Sequence, residues 1–117
     1  MKIAKHILLA IACMFLVTST QASLKLSGKI SKYAITMELT SSKADKNYNV
    51  RGRYQYVGKT QYLDIKGNYY PGGVLHLEES FGGKPTGEFF VQSEGSDDDF
   101  AGKWIGNGKA LDVVLNI

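Results

Sequence analysis

From Ser23 to Ile117 apolar and polar residues alternate almost without a break, the period of strands with one buried face. No stretch of useful length carries helical spacing. The alternation, cut at its turn residues, predicts eight strands at about 24–31, 34–41, 48–57, 60–69, 74–81, 86–94, 97–106 and 109–117. One phrase recurs in five of them: Gly28-Lys-Ile30, Gly52-Arg-Tyr54, Gly67-Asn-Tyr69, Gly87-Glu-Phe89 and Gly102-Lys-Trp104. Each is a glycine, a polar residue and a bulky apolar residue on the glycine's own face. Flat strands have no need of such glycines, and strands that bend inward do. The spacings of 24, 15, 20 and 15 residues are too uneven for a solenoid repeat. The prediction is an all-β, eight-stranded antiparallel meander closing into a small up-and-down barrel, with a two-sheet sandwich as the alternative.

Charge complementarity between neighbours on the wet face proposes a register. A tight turn at Asn107-Gly108 sets Trp104 opposite Leu111 and Lys103 opposite Asp112. A turn at Gly95-Ser96 sets Phe89 opposite Gly102 and Trp104 opposite Gly87, so that aromatic rings cover the glycines. Pro71-Gly72-Gly73 sets Gly67 opposite Leu77 and Lys66 opposite Glu78, and Gly58-Lys59 sets Arg53 opposite Asp64. A Thr40–Asn49 loop sets Leu39 opposite Val50 and Met37 opposite Gly52. The first hairpin turns near Lys32-Tyr33 without a glycine. These registers share one inner face, built on Ile30, Ile35, Met37, Leu39, Val50, Tyr54, Leu63, Ile65, Tyr69, Leu75, Leu77, Phe89, Val91, Phe100, Trp104, Leu111, Val113 and Leu115.

The first 22 residues break this pattern. Lys2 and Lys5 precede an apolar run from Ile7 to Val17, and a polar segment ending in Ala22 follows. That is the layout of a secretory signal peptide cleaved before Ser23, and the run is short of the roughly 20 residues a membrane-spanning helix needs. A lipid-anchored form through Cys13 is the less favoured variant, because Ala10 stands where such a signal prefers leucine. Cleavage leaves a single domain over 23–117 without cysteine, so its stability rests on its core. The expected location is the periplasm, with secretion as the alternative. Removing Lys2 and Lys5 from the 14 basic residues leaves 12 against 11 acidic ones, a net charge of about +1. Such a balance supplies no strong overall field for nucleic acid or, after cleavage, for a membrane.

Candidate chemistry is sparse. His76 faces outward beside Glu78, a pair with the groups for acid–base work but the setting of a solvated sheet surface. Asp97, Asp98 and Asp99 lack the alternating spacing of a calcium loop, and the one histidine of residues 23–117, without a cysteine, is too little for zinc, so no metal or cofactor is expected. Glu79 is the unusual carboxylate. Alternation turns it inward, facing Phe89, where it needs a hydrogen-bonding partner such as the Tyr69 hydroxyl. It is either a satisfied structural group at a barrel mouth or the polar anchor of a ligand pocket. Tyr33, Tyr62 and Tyr70 stand near turns and are candidate binding residues. Phe90, Val114 and Ile105, outward around Ala101, form a candidate apolar contact patch.

The succession Ile30, Tyr33-Ala-Ile-Thr-Met-Glu-Leu39, Val50-Arg-Gly-Arg-Tyr-Gln-Tyr56, Leu63-Asp-Ile-Lys-Gly67, Leu75-His-Leu-Glu-Glu79, Thr86-Gly-Glu-Phe89 and Phe100-Ala-Gly-Lys-Trp104 resembles a class of small exported bacterial β domains. The resemblance covers nearly all of the chain after the signal and implies fold more than function. A more distant similarity, through Ser27-Gly28 and Tyr33, is to periplasmic lysozyme inhibitors. No Tyr…Thr-x-Gly counterpart is evident here, so no inhibitory residue carries over. The functional expectation is a non-enzymatic exported binding domain for a protein partner such as a cell-wall hydrolase or toxin. A small-ligand carrier that uses the barrel interior is the alternative.

Overall fold

In the computed structural model, which describes residues 22–44, 46–95 and 99–117, the chain is a closed barrel of eight antiparallel strands in sequence order. They are β1 (Ala22–Ile30), β2 (Tyr33–Lys43), β3 (Tyr48–Tyr56), β4 (Leu63–Tyr70), β5 (Val74–Phe81), β6 (Lys84–Ser93), β7 (Asp99–Gly106) and β8 (Lys109–Asn116). The barrel, not the sandwich, is the architecture. It closes between β1 and β8 over a short seam, Ser27–Ile30 against Val113–Asn116.

The expected inner face is the observed one. Fifteen buried apolar residues form a single core, joined from the sides by Leu24, Tyr56, Leu63, Tyr69, Trp104 and Leu111. Leu26 belongs to this core as well. Three registers differ from expectation, each by two residues; in β5–β6 Glu79 pairs with Gly87 and not with Phe89. Leu39 pairs with Gly52, because β2 runs on to Lys43 and a turn closed by Ala44 N–H to the Asn47 carbonyl (2.8 Å) replaces the longer loop. Phe89 pairs with Trp104 and Val91 with Gly102, because β6 stops at Ser93 and a wider connection is closed by Glu94 N–H to the Asp99 carbonyl. A slip of two keeps every side chain on its own face, so the core is unaffected. The first hairpin is a two-residue turn in which Ser31 takes a positive φ of 58° and hands its N–H to the Asp112 carbonyl.

The wall glycines work differently from the expected aromatic cover. A β-carbon on Gly28, Gly52, Gly67 or Gly102 would run into a backbone carbonyl of the adjacent strand: Val114, Glu38, His76 and Phe90 respectively. Neighbouring main chains coil closely past these four points, and only hydrogen fits between them. Gly87 alone is covered by a ring. A β-carbon there would lie 2.7 Å from the Trp104 indole, and one on Gly106 would lie 2.6 Å from the same ring. The two glycines make the slot in which Trp104 lies.

The meander puts the β1–β2, β3–β4, β5–β6 and β7–β8 hairpins at one end of the barrel. The β2–β3, β4–β5 and β6–β7 connections lie at the other.

Candidate functional site

Glu79 sits near the end of β5, beneath the mouth framed by the first set of hairpins. It is inward and 4% exposed, the one buried charged residue among those described. Its register partner on β6 is Gly87, not Phe89, which pairs with Leu77. Immediately beyond, the β5–β6 pairing shifts: Glu79 faces Gly87 but Ser80 faces Pro85, which leaves Thr86 as the extra residue of a β-bulge. Bulges re-aim side chains. Here the Thr86 hydroxyl donates to Glu79 Oε2 at 2.6 Å. Two further donors converge from other strands on Oε1: the Tyr54 hydroxyl from β3 and the Trp104 indole N–H from β7 at 2.9 Å. Tyr69, the expected partner, lies toward the opposite end, where its ring packs edge-on to Phe100 at 6.3 Å.

Three neutral donors therefore hold one buried carboxylate, and no buried side-chain polar atom among the described residues is left unpaired. Burial and the hydrogen bond to Glu79 push the Tyr54 hydroxyl far above the ordinary tyrosine pKa. Tyr56 is raised too, chiefly by burial. The rings continue outward as a chain. Phe89 meets Tyr54 edge-on at 5.3 Å, Tyr54 meets Tyr56 at 5.8 Å, and Tyr56 meets Tyr33 at 6.3 Å. Glu79 and Tyr33 thus share one mouth through Tyr54 and Tyr56. Tyr62 lies near the same end but on the outer wall, with the Arg53 guanidinium 4.0 Å above its ring. Tyr70 lies at the opposite end.

The interior beyond this knot is packed. The space found there, near Leu24, Leu39, Tyr48, Tyr69 and Phe100, amounts to about 40 Å³. Ligand pockets run to roughly 300–1,000 Å³. The outer wall carries a larger concavity, an open trough of about 1390 Å³ across β2 to β7. Its central row follows the register Thr40, Arg51, Lys66, Glu78, Glu88, Ile105. Two cations lie side by side, then two carboxylates. Like charges directly opposite one another oppose sheet formation. Among the described residues, Arg51, Lys66 and Glu78 have no ion pair, whereas Arg53 beside them pairs with Glu38 at 3.5 Å.

His76 pairs with Glu88 across the strand (3.4 Å) rather than with Glu78 on its own strand, and its ring stacks on Phe90 at 4.5 Å. That stacking covers one side of the expected apolar patch. Phe90 faces Lys103, and Ala101 lies between Gln92 and Val114. Of the acidic run, Asp97 and Asp98 lie outside the described residues, and Asp99 accepts from the Asn116 amide at 2.5 Å. No three His, Cys, Asp or Glu side chains converge as a metal site among the described residues. Tyr54, Thr86 and Trp104 are the site residues that sequence reasoning did not assign. The chain matches no protein-family model, no curated protein and no solved structure.

Proposed function

We propose that this protein is a non-enzymatic, exported binding domain that engages a protein partner through the outer trough. The observation that carries the reading is the contrast between the two sides of the wall. The space found inside amounts to about 40 Å³, while the outside holds a trough of about 1390 Å³ in which Arg51 lies beside Lys66 and Glu78 beside Glu88, and in which Arg51, Lys66 and Glu78 have no ion pair among the described residues. Charges left in an order that the fold itself does not favour fit a partner that presents the opposite order, acid over Arg51 and Lys66 and base over Glu78 and Glu88. Export follows from the signal-like residues 1–22, with the periplasm as the compartment. A cell-wall hydrolase or toxin held by this face is the inhibitor form of the proposal. The interior space found among the described residues, about 40 Å³, does not support a small-ligand carrier.

The test is capture from a periplasmic extract by the exported protein, beside the same protein carrying Arg51→Glu and Lys66→Glu. A partner retained by the first and lost by the second, with equal thermal stability of the two, supports the trough. A partner retained equally by both removes it. Inhibition of lysozymes of several classes tests the narrower form, and no effect on any of them rules that form out.

A further inference from the structure

We propose that the barrel end formed by the β1–β2, β3–β4, β5–β6 and β7–β8 hairpins docks onto an anionic phospholipid surface. Each of these four hairpins carries one exposed lysine at or beside its turn: Lys32, Lys59, Lys84 and Lys109. No Asp or Glu occurs in the hairpin segments 30–35, 55–63, 80–86 and 105–111. Of the nearest carboxylates, Asp112 holds Lys103 at 2.5 Å on the wall, Glu79 is buried under its three donors, and Asp64 stands opposite Arg53 in the ladder. A turn kept merely soluble mixes both signs. The opposite end does so, with Lys43 and Lys46 at the β2–β3 connection and Glu94 and Asp99 at the β6–β7 connection.

The second, independent observation is apolar. The same end exposes Val57 (61%), Tyr33 (56%), Phe81 (45%), Ile105 and Tyr62, five of the nine exposed large hydrophobic residues among those described. Val57 and Phe81 stand right at turns, and both are exposed. Lysines around projecting aliphatic and aromatic tips are the composition that suits the headgroup boundary of a bilayer: ammonium groups meet anionic headgroups, and the apolar tips enter just below. The barrel would rest on the surface rather than span it. Its outer wall carries Lys29, Arg51, Lys66, Glu78 and Asp112, where a spanning barrel presents an apolar band. The proposal departs from the expectation drawn from net charge, which is about +1 because the acids lie elsewhere on the molecule.

The experiment is flotation of the exported protein, its N-terminus read by mass spectrometry, with vesicles of phosphatidylglycerol and phosphatidylcholine and with vesicles of phosphatidylcholine alone. Expected is binding to the anionic vesicles that weakens with salt and falls roughly fivefold for each of K32Q, K59Q, K84Q and K109Q. The double variant V57S/F81S weakens binding without altering its salt dependence. Circular dichroism and melting establish that each variant is folded. Absence of binding to anionic vesicles overturns the proposal, as does binding that the combined variant K32Q/K59Q/K84Q/K109Q leaves unchanged. Salt-sensitive binding that V57S/F81S does not touch also overturns it, and assigns the end to a soluble polyanion instead. Partner capture through the trough is read separately with R51E/K66E, so failure of either proposal leaves the other standing.

Discussion

Glu79 binds three strands into the mouth of the barrel, and the cost of losing it depends on what replaces its oxygens. Glu79→Ala removes the acceptor of the Trp104 N–H and of the Tyr54 and Thr86 hydroxyls. A loss of about 3 kcal/mol is expected, seen as a lowered midpoint in urea unfolding. Glu79→Gln costs much less, about 1 kcal/mol. Its amide oxygen takes the place of Oε1 for Tyr54 and Trp104, and its NH₂ donates to Thr86, whose hydroxyl turns to accept. Equal damage from both variants would show that the negative charge, not the hydrogen-bonding pattern, is what matters. Tyr54 adds a pH dependence. Its hydroxyl is raised in the folded state above the ordinary value of 10.0, so the folded chain keeps a proton that the unfolded chain gives up. The resulting stability is complete below pH ~10 and drains away as pH rises beyond it. Melting followed upward from neutral pH should show this alkaline decline, and Tyr54→Phe should flatten most of it, leaving the smaller part due to Tyr56. That Glu79 points inward follows from alternation alone. Its donors come from β3, β6 and β7, and Thr86 reaches it only because of a bulge, so no local pattern could have named them.

At the scale of the strand, the repeated glycine phrase was readable as a bend but not as a contact. Spacing and alternation place the five glycines on the inner face. They do not say whether a ring or a main-chain carbonyl lies against each, which depends on how tightly two strands coil past one another. The distinction sets the outcome of substitution. At Gly102 the obstacle is the Phe90 carbonyl, part of the ladder itself, and backbone cannot step aside as a side chain can. Gly102→Val should therefore cost more than about 3 kcal/mol and appear as loss of soluble folded protein. Gly28→Ala attacks the seam, where β1 and β8 are joined by only four residue pairs, and should open closure before it disturbs β3 to β6. Hydrogen exchange checks this: amides of Ser27–Ile30 and Val113–Asn116 should lose protection first. Uniform loss of protection would mean that closure and wall fold as one unit. Of the three registers that slipped, β5–β6 did so because its pairing runs on to Phe81 and Lys84 around Gly82-Gly83, and the other two did so at the connections Ala44–Asn47 and 94–98. Both lack the Asn-Gly or Pro-Gly-Gly signal that made the other turns readable.

At the scale of the whole molecule, composition hides what topology sorts. A net charge of +3, or about +1 over residues 23–117, describes neither the barrel end that gathers Lys32, Lys59, Lys84 and Lys109 nor the trough that sets two cations beside two carboxylates. Both arrangements arise only when strands far apart in sequence become neighbours, and for that reason function was less legible than fold. The trough makes a prediction that separates a binding surface from an ordinary wet wall. Arg51 faces Thr40 on one side and Lys66 on the other, with no carboxylate directly opposite. Glu78 faces Lys66 and Glu88. On a wall selected only for stability, neutralising Arg51 would change nothing or help, because it relieves repulsion from Lys66. On a binding wall the same change removes a contact that the partner uses. Arg51→Gln should thus leave the melting temperature unchanged or slightly raised while weakening partner capture about tenfold, with the loss concentrated at low salt where charge complementarity acts at longest range. Glu78→Gln should weaken capture likewise but without a gain in stability, since Lys66 lies directly opposite it. Arg53→Gln should instead lower stability slightly, since it breaks the pair with Glu38 and the packing over Tyr62. Arg51→Gln that lowers stability and spares capture would return the row of charges to the fold and leave the trough without a function.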